Sequence, residues 1–393
     1  MHSSSCTVLV VCGTRPEVIK LAPLARELQA RPREFVCRVC LTGQHAHLLG
    51  KTLDMFDVAA DHHLDIMVHN QSLHHVAATV ISRLQPILER EQPDWVVVQG
   101  DTTTTLAATV AAHYSRVRVA HVEAGLRSGN EWHPFPEEIN RRLVDHACHL
   151  HLAPTDSARR NLLAEGIPET RIRVTGNTVI DAVLHVARLP EDASARALKS
   201  IPFSTRRLVL VTAHRRENFG APMGEIAAAI RELARRYASD VHFVLPVHPN
   251  PNVRSVVFPV LQREPNVSLL APLEYRPFVQ LLKRATLVLS DSGGIQEEGV
   301  ALGIPVLLLR EVTERPEGVQ AGTVRVVGTR RTAIVEQASA LLDNEAARTA
   351  MARPSDVYGD GRASQRTAEA LLELRHVGTP DSAAAAVTTG GAL

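Results

Sequence analysis

Short β-branched runs recur along this chain, and they are apolar on both faces. TVLVVC (7–12), FVCRVCL (35–41), WVVVQ (95–99), VRVAHV (117–122), RLVLVTA (207–213), VHFVLPV (241–247), NVSLL (266–270), TLVLS (286–290) and PVLLL (305–309) are the candidate strands. A strand wet on one side alternates apolar and polar residues. These do not, so both faces must be covered. Helix-period segments separate them, the first with Val18, Leu21, Ala25 and Leu28 on one face. The alternation predicts an α/β chain built on doubly wound parallel sheets. At about 150 residues per domain, 393 residues make two to three domains. The pattern pauses near 185–206, a stretch rich in Pro, Ser and charge that lacks a strand, so two α/β halves are expected.

Charge narrows the partners. Lys plus Arg number 43 and Asp plus Glu 42, a net charge of +1. A nucleic-acid or anionic-membrane binder needs a basic surplus or stripe, which this balance argues against. No apolar run reaches the roughly 18 residues of a membrane helix. The start, MHSSSCTVLVVCG, has no charged leader and reads as a first strand. Five cysteines, an odd and sparse set, fit a reducing compartment, and a cytoplasmic protein is expected. Residues 377–393 are small, polar and low in complexity, which predicts a disordered tail.

In open parallel sheets, ligands bind beyond the carboxyl ends of strands. The chemically active residues cluster there: GTRPE after the first strand, Gly100 and Asp101 after WVVVQ, and Glu123 after VRVAHV. In the second half the corresponding residues are His214, Arg215, Arg216 and Glu217, then His248, then Asp291 to Gly294. The implied site is a cleft between two doubly wound halves. GTRPE and SDSGG are candidate anion cradles. In the first, Gly13 permits a tight turn, Pro16 suits a helix start, Arg15 offers a two-pronged phosphate donor, and Lys20 lies four residues after Pro16, one helical turn on. In the second, glycines let backbone approach a ligand ahead of a helix beginning near IQEEG. A plain turn explains either cradle alone; one on each side of a cleft suits a diphosphate. Neither a Walker loop nor a GxGxxG dinucleotide fingerprint occurs.

Asp101 and Glu123 end strands expected to lie close together, and Glu137 opens the helix PFPEEINRR with Arg141 at i+4. Asp101 as a simple helix cap and Glu137 as a helix-start acid supported by Arg141 remain open readings. Three acids converging with His214 permit proton transfer on two sides of a substrate. The pair Cys37 and Cys40 spells CxxC, but residues three apart on a strand face opposite sides. HACHLH turns from helix into strand and scatters its ligands, so packing is favoured there over zinc. His62, His63, His74 and His75 are read as surface or helix-face residues.

In order along the chain stand GTRPEVIKLAPL, TGQH, QGDTTTT, HVEAGLRS, PFPEEINRRL, TGNTVIDA, HRREN, PVHPNPNVR, SDSGGIQEE, TERPEG and AGTVRVVGT. This series resembles the non-hydrolysing UDP-N-acetylglucosamine 2-epimerases over nearly the whole chain apart from the tail. The resemblance implies two Rossmann-like domains of glycosyltransferase-B type, with the active site in the interdomain cleft. The domains fall at 1–178 and at 179–363, the latter binding UDP, with a helix near 364–376 crossing back onto the first. It places Asp101, Glu123, Glu137 and His214 at catalytic positions. Arg15, Lys20, Arg141, His248, Phe278, Ser292, Gly293, Gly294, Glu298 and Arg315 fall at substrate-binding ones, with uracil near 273–278 and Glu298 on the ribose. Gln44, His45, Arg215 and Glu217 match a second site, where many bacterial members bind an activating UDP-sugar. The chain departs from the family's pattern at Asn70, His47 and Leu273. The resemblance implies a UDP-sugar substrate, a homodimer, and neither metal nor cofactor.

The implied reaction interconverts UDP-N-acetylglucosamine and UDP-N-acetylmannosamine by losing UDP to a glycal and adding it back. The rival readings are a 2-epimerase for a modified UDP-sugar, a glycosyltransferase of the same architecture, a hydrolysing epimerase, and a nucleotide-sugar-binding protein.

Overall fold

The computed structural model describes residues 5–43, 46–68, 71–192 and 196–375. The tail at 377–393 and the residues Gln44, His45 and Asn70, all singled out above, lie outside the described residues; so does the side chain of His47.

The first half runs β1 (Cys6–Cys12), α1 (Arg15–Gln29), β2 (Phe35–Leu41), α2 (Ala46–Asp54), β3 (His62–His63), α3 (Leu73–Glu91), β4 (Trp95–Gln99), α4 (Thr103–Tyr114), β5 (Arg118–Val122), α5 (Glu137–Ala147), β6 (Leu150–Ala153), α6 (Asp156–Ala164), β7 (Ile172–Val174) and α7 (Thr178–Arg188). The second runs β8 (Arg207–Thr212), α8 (Ala221–Arg236), β9 (Val241–Pro246), α9 (Pro251–Leu261), β10 (Val267–Leu270), α10 (Tyr275–Lys283), β11 (Leu287–Ser290), α11 (Gly293–Ala301), β12 (Val306–Leu308), α12 (Glu317–Gln320), β13 (Val324–Val326), α13 (Arg331–Asp343), α14 (Glu345–Met351) and α15 (Ala363–Glu373).

The strands form a 7-stranded sheet in the order β3-β2-β1-β4-β5-β6-β7 and a 6-stranded sheet in the order β10-β9-β8-β11-β12-β13. Their ladders are parallel, as apolar-on-both-faces strands require. Along β1, Val8 and Val10 face one apolar cluster while Leu9 and Val11 face another, the period of two that doubly covered strands impose. Cys37 and Cys40 divide between the same two clusters. Burial pushes both thiols up to about 12, so neither is a thiolate at neutral pH.

The helix α7 follows the last strand of the first sheet. Its Val179, Ile180, Val183 and Val186 are buried in a cluster that also holds Val8 and Val10 of β1 and Leu210 and Val288 of the second sheet. One apolar core therefore threads both halves. The final helix α15 returns to the first sheet: Trp95 Nε1 donates to the Leu371 carbonyl at 3.1 Å and Arg118 Nη1 to that of Leu374 at 2.8 Å. Among the described residues, no helix is long and apolar enough to cross a membrane.

Candidate active site

Strand order reverses direction at two places, between β1 and β4 and between β8 and β11. Crevices open beyond the carboxyl ends of strands at such switch points. Gly13 and Asp101 follow the strands of the first, and His214 and Asp291 those of the second.

The first crevice is built around a carboxylate that sequence reading passed over. Glu17 in the first turn of α1 is buried. It accepts from the Gly13 amide at 2.9 Å and from the hydroxyls of Thr102 and Thr105 at 2.7 and 3.0 Å. Its partner in a capping box is Thr14, so the GTRPE loop is clamped to the start of α4. Gly13 serves a close approach rather than the expected turn: a Cβ there would sit 2.3 Å from Thr104 Oγ1, and its φ is not positive. Asp101 does not cap α4; Thr102 does, accepting from the Thr105 amide at 3.2 Å. Asp101 is instead gripped by Arg141, Nε at 2.9 Å and Nη2 at 2.6 Å, both on Oδ2. Arg141 also reaches Glu138 at 3.2 Å, and no bond joins it to Glu137. The support expected for Glu137 thus goes to Asp101, because α5 lies against the loop after β4, where Asn140 Nδ2 also donates to the Asp101 carbonyl at 2.8 Å. Glu137 Oε2 is buried with no hydrogen-bond partner among the described residues.

Glu123 has a φ of 67°, a conformation costly for a residue with a Cβ and typical of functional sites. It accepts hydrogen bonds from Lys20 and Gln99. Its other oxygen takes Arg315 Nη2 at 3.3 Å, a contact between the two halves. Burial works to raise its carboxyl, but Lys20 and then Arg315 outweigh it and hold Glu123 below the usual carboxylate range.

Arg315 is buried among carboxylates, with Nε on Glu297 at 2.7 Å and Nη1 on Glu314 at 2.6 Å. It lies against the start of α11, where a Cβ on Gly293 would meet Arg315 Nη1 at 2.5 Å. The helix itself begins at Gly293, two residues before the expected IQEEG, and its N-cap Ser292 makes no side-chain cap. Open backbone donors and a guanidinium therefore share one corner. Glu298, one turn on, accepts from the Tyr275 hydroxyl at 2.8 Å. Burial pushes its carboxyl up to about 7, opposed by the Tyr275 hydrogen bond and by Lys20 and Arg15. Arg15 reaches across to the Leu273 carbonyl at 3.4 Å. Phe278 packs half-buried in α10, three residues from Tyr275. His214 and His248 stack with centroids 5.4 Å apart. Arg215 and Glu217 are paired within the second half, with Glu314 at 3.8 Å and Arg310 at 3.1 Å.

The structure thus gathers Arg15, Lys20, Glu123, Glu298 and Arg315 where the halves meet, with Asp101 and Arg141 behind them. His214 and His248 form a separate pair on the second half. Glu297 and Asn177 were also missed: Asn177 Nδ2 donates to both Glu297 oxygens at 3.1 and 3.2 Å, which holds Glu297 on Arg315. The only sequence signal was their place inside IQEE and TGNT. Among the described residues, no group of His, Cys, Asp and Glu is arranged to hold a metal ion.

Two parallel-sheet halves meeting over paired acids and an anion corner define an α/β enzyme of the two-Rossmann, glycosyltransferase-B-like class. The family model described as UDP-N-acetylglucosamine 2-epimerase matches residues 26–372. The UDP-N-acetylglucosamine 2-epimerase of Escherichia coli K12 is 47% identical over 373 residues, covering 94% of this chain and 99% of that one. The crystal structure of the Neisseria meningitidis UDP-GlcNAc 2-epimerase bound to UDP-GlcNAc superposes with a TM-score of 0.88 at 45% identity, covering 93% of this chain and 100% of that one. The Methanocaldococcus jannaschii enzyme in complex with UDP-GlcNAc and UDP gives 0.76 at 32% identity, covering 93% and 99%. The chain belongs to the UDP-N-acetylglucosamine 2-epimerase family.

Proposed function

We propose that this chain interconverts UDP-N-acetylglucosamine and UDP-N-acetylmannosamine by eliminating UDP and adding it back. Carbon 2 bears a weakly acidic hydrogen with no carbonyl beside it in the ring form, so direct deprotonation is not feasible. Elimination answers this. A base takes the carbon 2 hydrogen while the carbon 1–oxygen bond breaks toward UDP, leaving a 2-acetamidoglucal. UDP then re-adds at carbon 1 as a proton arrives on the opposite face of carbon 2. Two faces need two proton-transfer groups, and Asp101, Glu123, Glu137 and His214 supply them. The diphosphate departs as an anion, and Arg15, Lys20, Arg315 and the open start of α11 carry its charge. Ser292, Gly293 and Gly294 line that helix start, while His248, Phe278 and Glu298 serve the nucleotide and Arg141 steadies Asp101.

The observation that carries this reading is Glu123, held charged between Lys20 and Arg315 where the halves meet. An incoming diphosphate competes for both cations and frees the carboxylate beside the substrate. The test is incubation with UDP-N-acetylglucosamine in heavy water. Deuterium at carbon 2 of retained UDP-sugar, without any acceptor, is the expected result. Free N-acetylmannosamine would mark a hydrolysing enzyme instead, and a panel of UDP-sugars separates a modified substrate. The chain acts in this reading as a cytoplasmic homodimer, in keeping with five cysteines that are all buried free thiols.

A further inference from the structure

His214 has a neighbour with no assigned task. Asp291 follows β11 and is fully buried. Its Oδ2 accepts from the backbone amides of His214 at 2.8 Å and Arg215 at 2.9 Å, and from Asn218 Nδ2 at 3.0 Å. Three donors on one oxygen fix the plane of the carboxylate. Its other oxygen, Oδ1, is buried with no hydrogen-bond partner among the described residues. It lies 3.5 Å from His214 Nδ1, the length of an ion pair rather than a hydrogen bond. A buried acceptor left unpaired is costly, so the arrangement demands a donor, and Nδ1 is the one in reach. Stacking on His248, with only 13° between the ring planes, restrains the plane of the imidazole.

We propose that Asp291 is the positioning residue of an Asp291–His214 dyad, keeping a proton on Nδ1 and turning the Nε2 lone pair toward the cleft. The inference rests on His214 as a proton-transfer group in the proposed epimerisation. Nε2 accepts a proton from substrate or solvent while Nδ1–H stays directed at Oδ1, and the imidazolium charge so formed stands beside the carboxylate. The Nε2 proton then returns to substrate or solvent and is not passed on to Asp291. The charged and titratable groups facing His214 are Asp291, His248 and Arg215. Burial lowers its basicity, Asp291 raises it, and His248 and Arg215 lower it further.

Asp291→Asn is the test. The amide oxygen still accepts from the loop amides, while its NH₂ group cannot accept from Nδ1, so the ring is driven toward the other tautomer. The expected result is a kcat lowered on the order of 10²- to 10⁴-fold with KM for UDP-N-acetylglucosamine changed by less than about threefold. The pH limb due to His214 moves to lower pH. In the double variant with His214→Asn, the loss equals that of His214→Asn alone within about threefold, the signature of residues acting as a unit. A kcat within about threefold of wild type, or losses that multiply, overturns the dyad. Should Asp291→Asn fail to fold, nitrogen NMR of the wild-type imidazole at pH 8 decides: protonated Nδ1 with free Nε2 supports the dyad, and the opposite tautomer overturns it. Wild-type deuterium incorporation separates the two ideas, since its absence sinks the epimerase reading whatever Asp291 does.

Discussion

Glu298 shows how a single buried carboxyl couples function to stability. Its folded value is raised from 4.5 to about 7, chiefly by burial. Between those values the folded chain keeps a proton that the unfolded chain has released. The stabilisation is complete below 4.5 and disappears as pH rises through about 7, a difference on the order of 3 kcal/mol. Glu298→Gln keeps an acceptor for the Tyr275 hydroxyl and removes the titration. At pH 8 this variant is expected to outlast wild type in urea by that order of energy, and at pH 4 the two curves should coincide. A gain equal at both pH values would refute the account. UDP should bind the variant more weakly, since Glu298 is placed on the ribose in the proposed reading. At this scale the sequence was readable where a residue's place follows from the end of its own strand, as with Asp101 and Glu123, yet even the local capping box of Thr14 and Glu17 went unread. Partners far away were not readable: Arg141 is 40 residues from Asp101, and helix periodicity pointed to Glu137 instead.

Among the elements, α7 joins packing to chemistry. Its N-cap Asn177 accepts from the Val179 amide at 3.1 Å and donates to Glu297 with the other end of the same amide. One side chain thus starts the helix and holds the acid that orients Arg315. Asn177→Ser retains a capping hydroxyl and loses only the Glu297 bonds, an expected cost of about 1.5–3 kcal/mol in urea unfolding, because the lost hydrogen bonds go to a carboxylate. Asn177→Asp also caps well but sets a second buried carboxylate against Glu297. Folding then raises the pKa of that pair, so the Asp variant is expected to lose more stability than the Ser variant at pH 8 and to approach it at pH 5. Equal penalties at both pH values would show that the amide acts only as a cap. Strands β1, β8, β11 and β12 were legible because four or more β-branched or Leu residues in a row, as in TVLVV and LVLVT, leave no other reading, whereas β6 with its sequence LHLA has no such run. The edge strands β3, β7 and β13 were not, since two or three residues establish no period. Each is fixed by its neighbour's ladder.

The whole molecule has two sheets, and one apolar cluster runs through both of them, which governs how it should come apart. Val179, Ile180, Val183 and Val186 of α7 share a cluster with side chains from both sheets, and α15 closes over α1 and α7 with Leu371 fully buried. Neither sheet can lose its partner without exposing this shared surface. Sequence reading found the two halves from the pause near 185–206, but not this continuity, because the contacts that make it join α7 to helices beyond position 275. The two tryptophans, Trp95 and Trp132, both lie in the first half, whereas far-UV circular dichroism reports helices of both. Tryptophan fluorescence and circular dichroism are therefore expected to give one coincident unfolding midpoint in urea. Leu371→Ala sharpens the test. It leaves a cavity under α15 at an expected cost of about 2–5 kcal/mol. If the core is one cooperative unit, both probes move together by that amount. A fluorescence midpoint that falls while the dichroism keeps a second, unshifted transition would mean that the halves unfold separately, and that α7 is a tether between them rather than part of a common core.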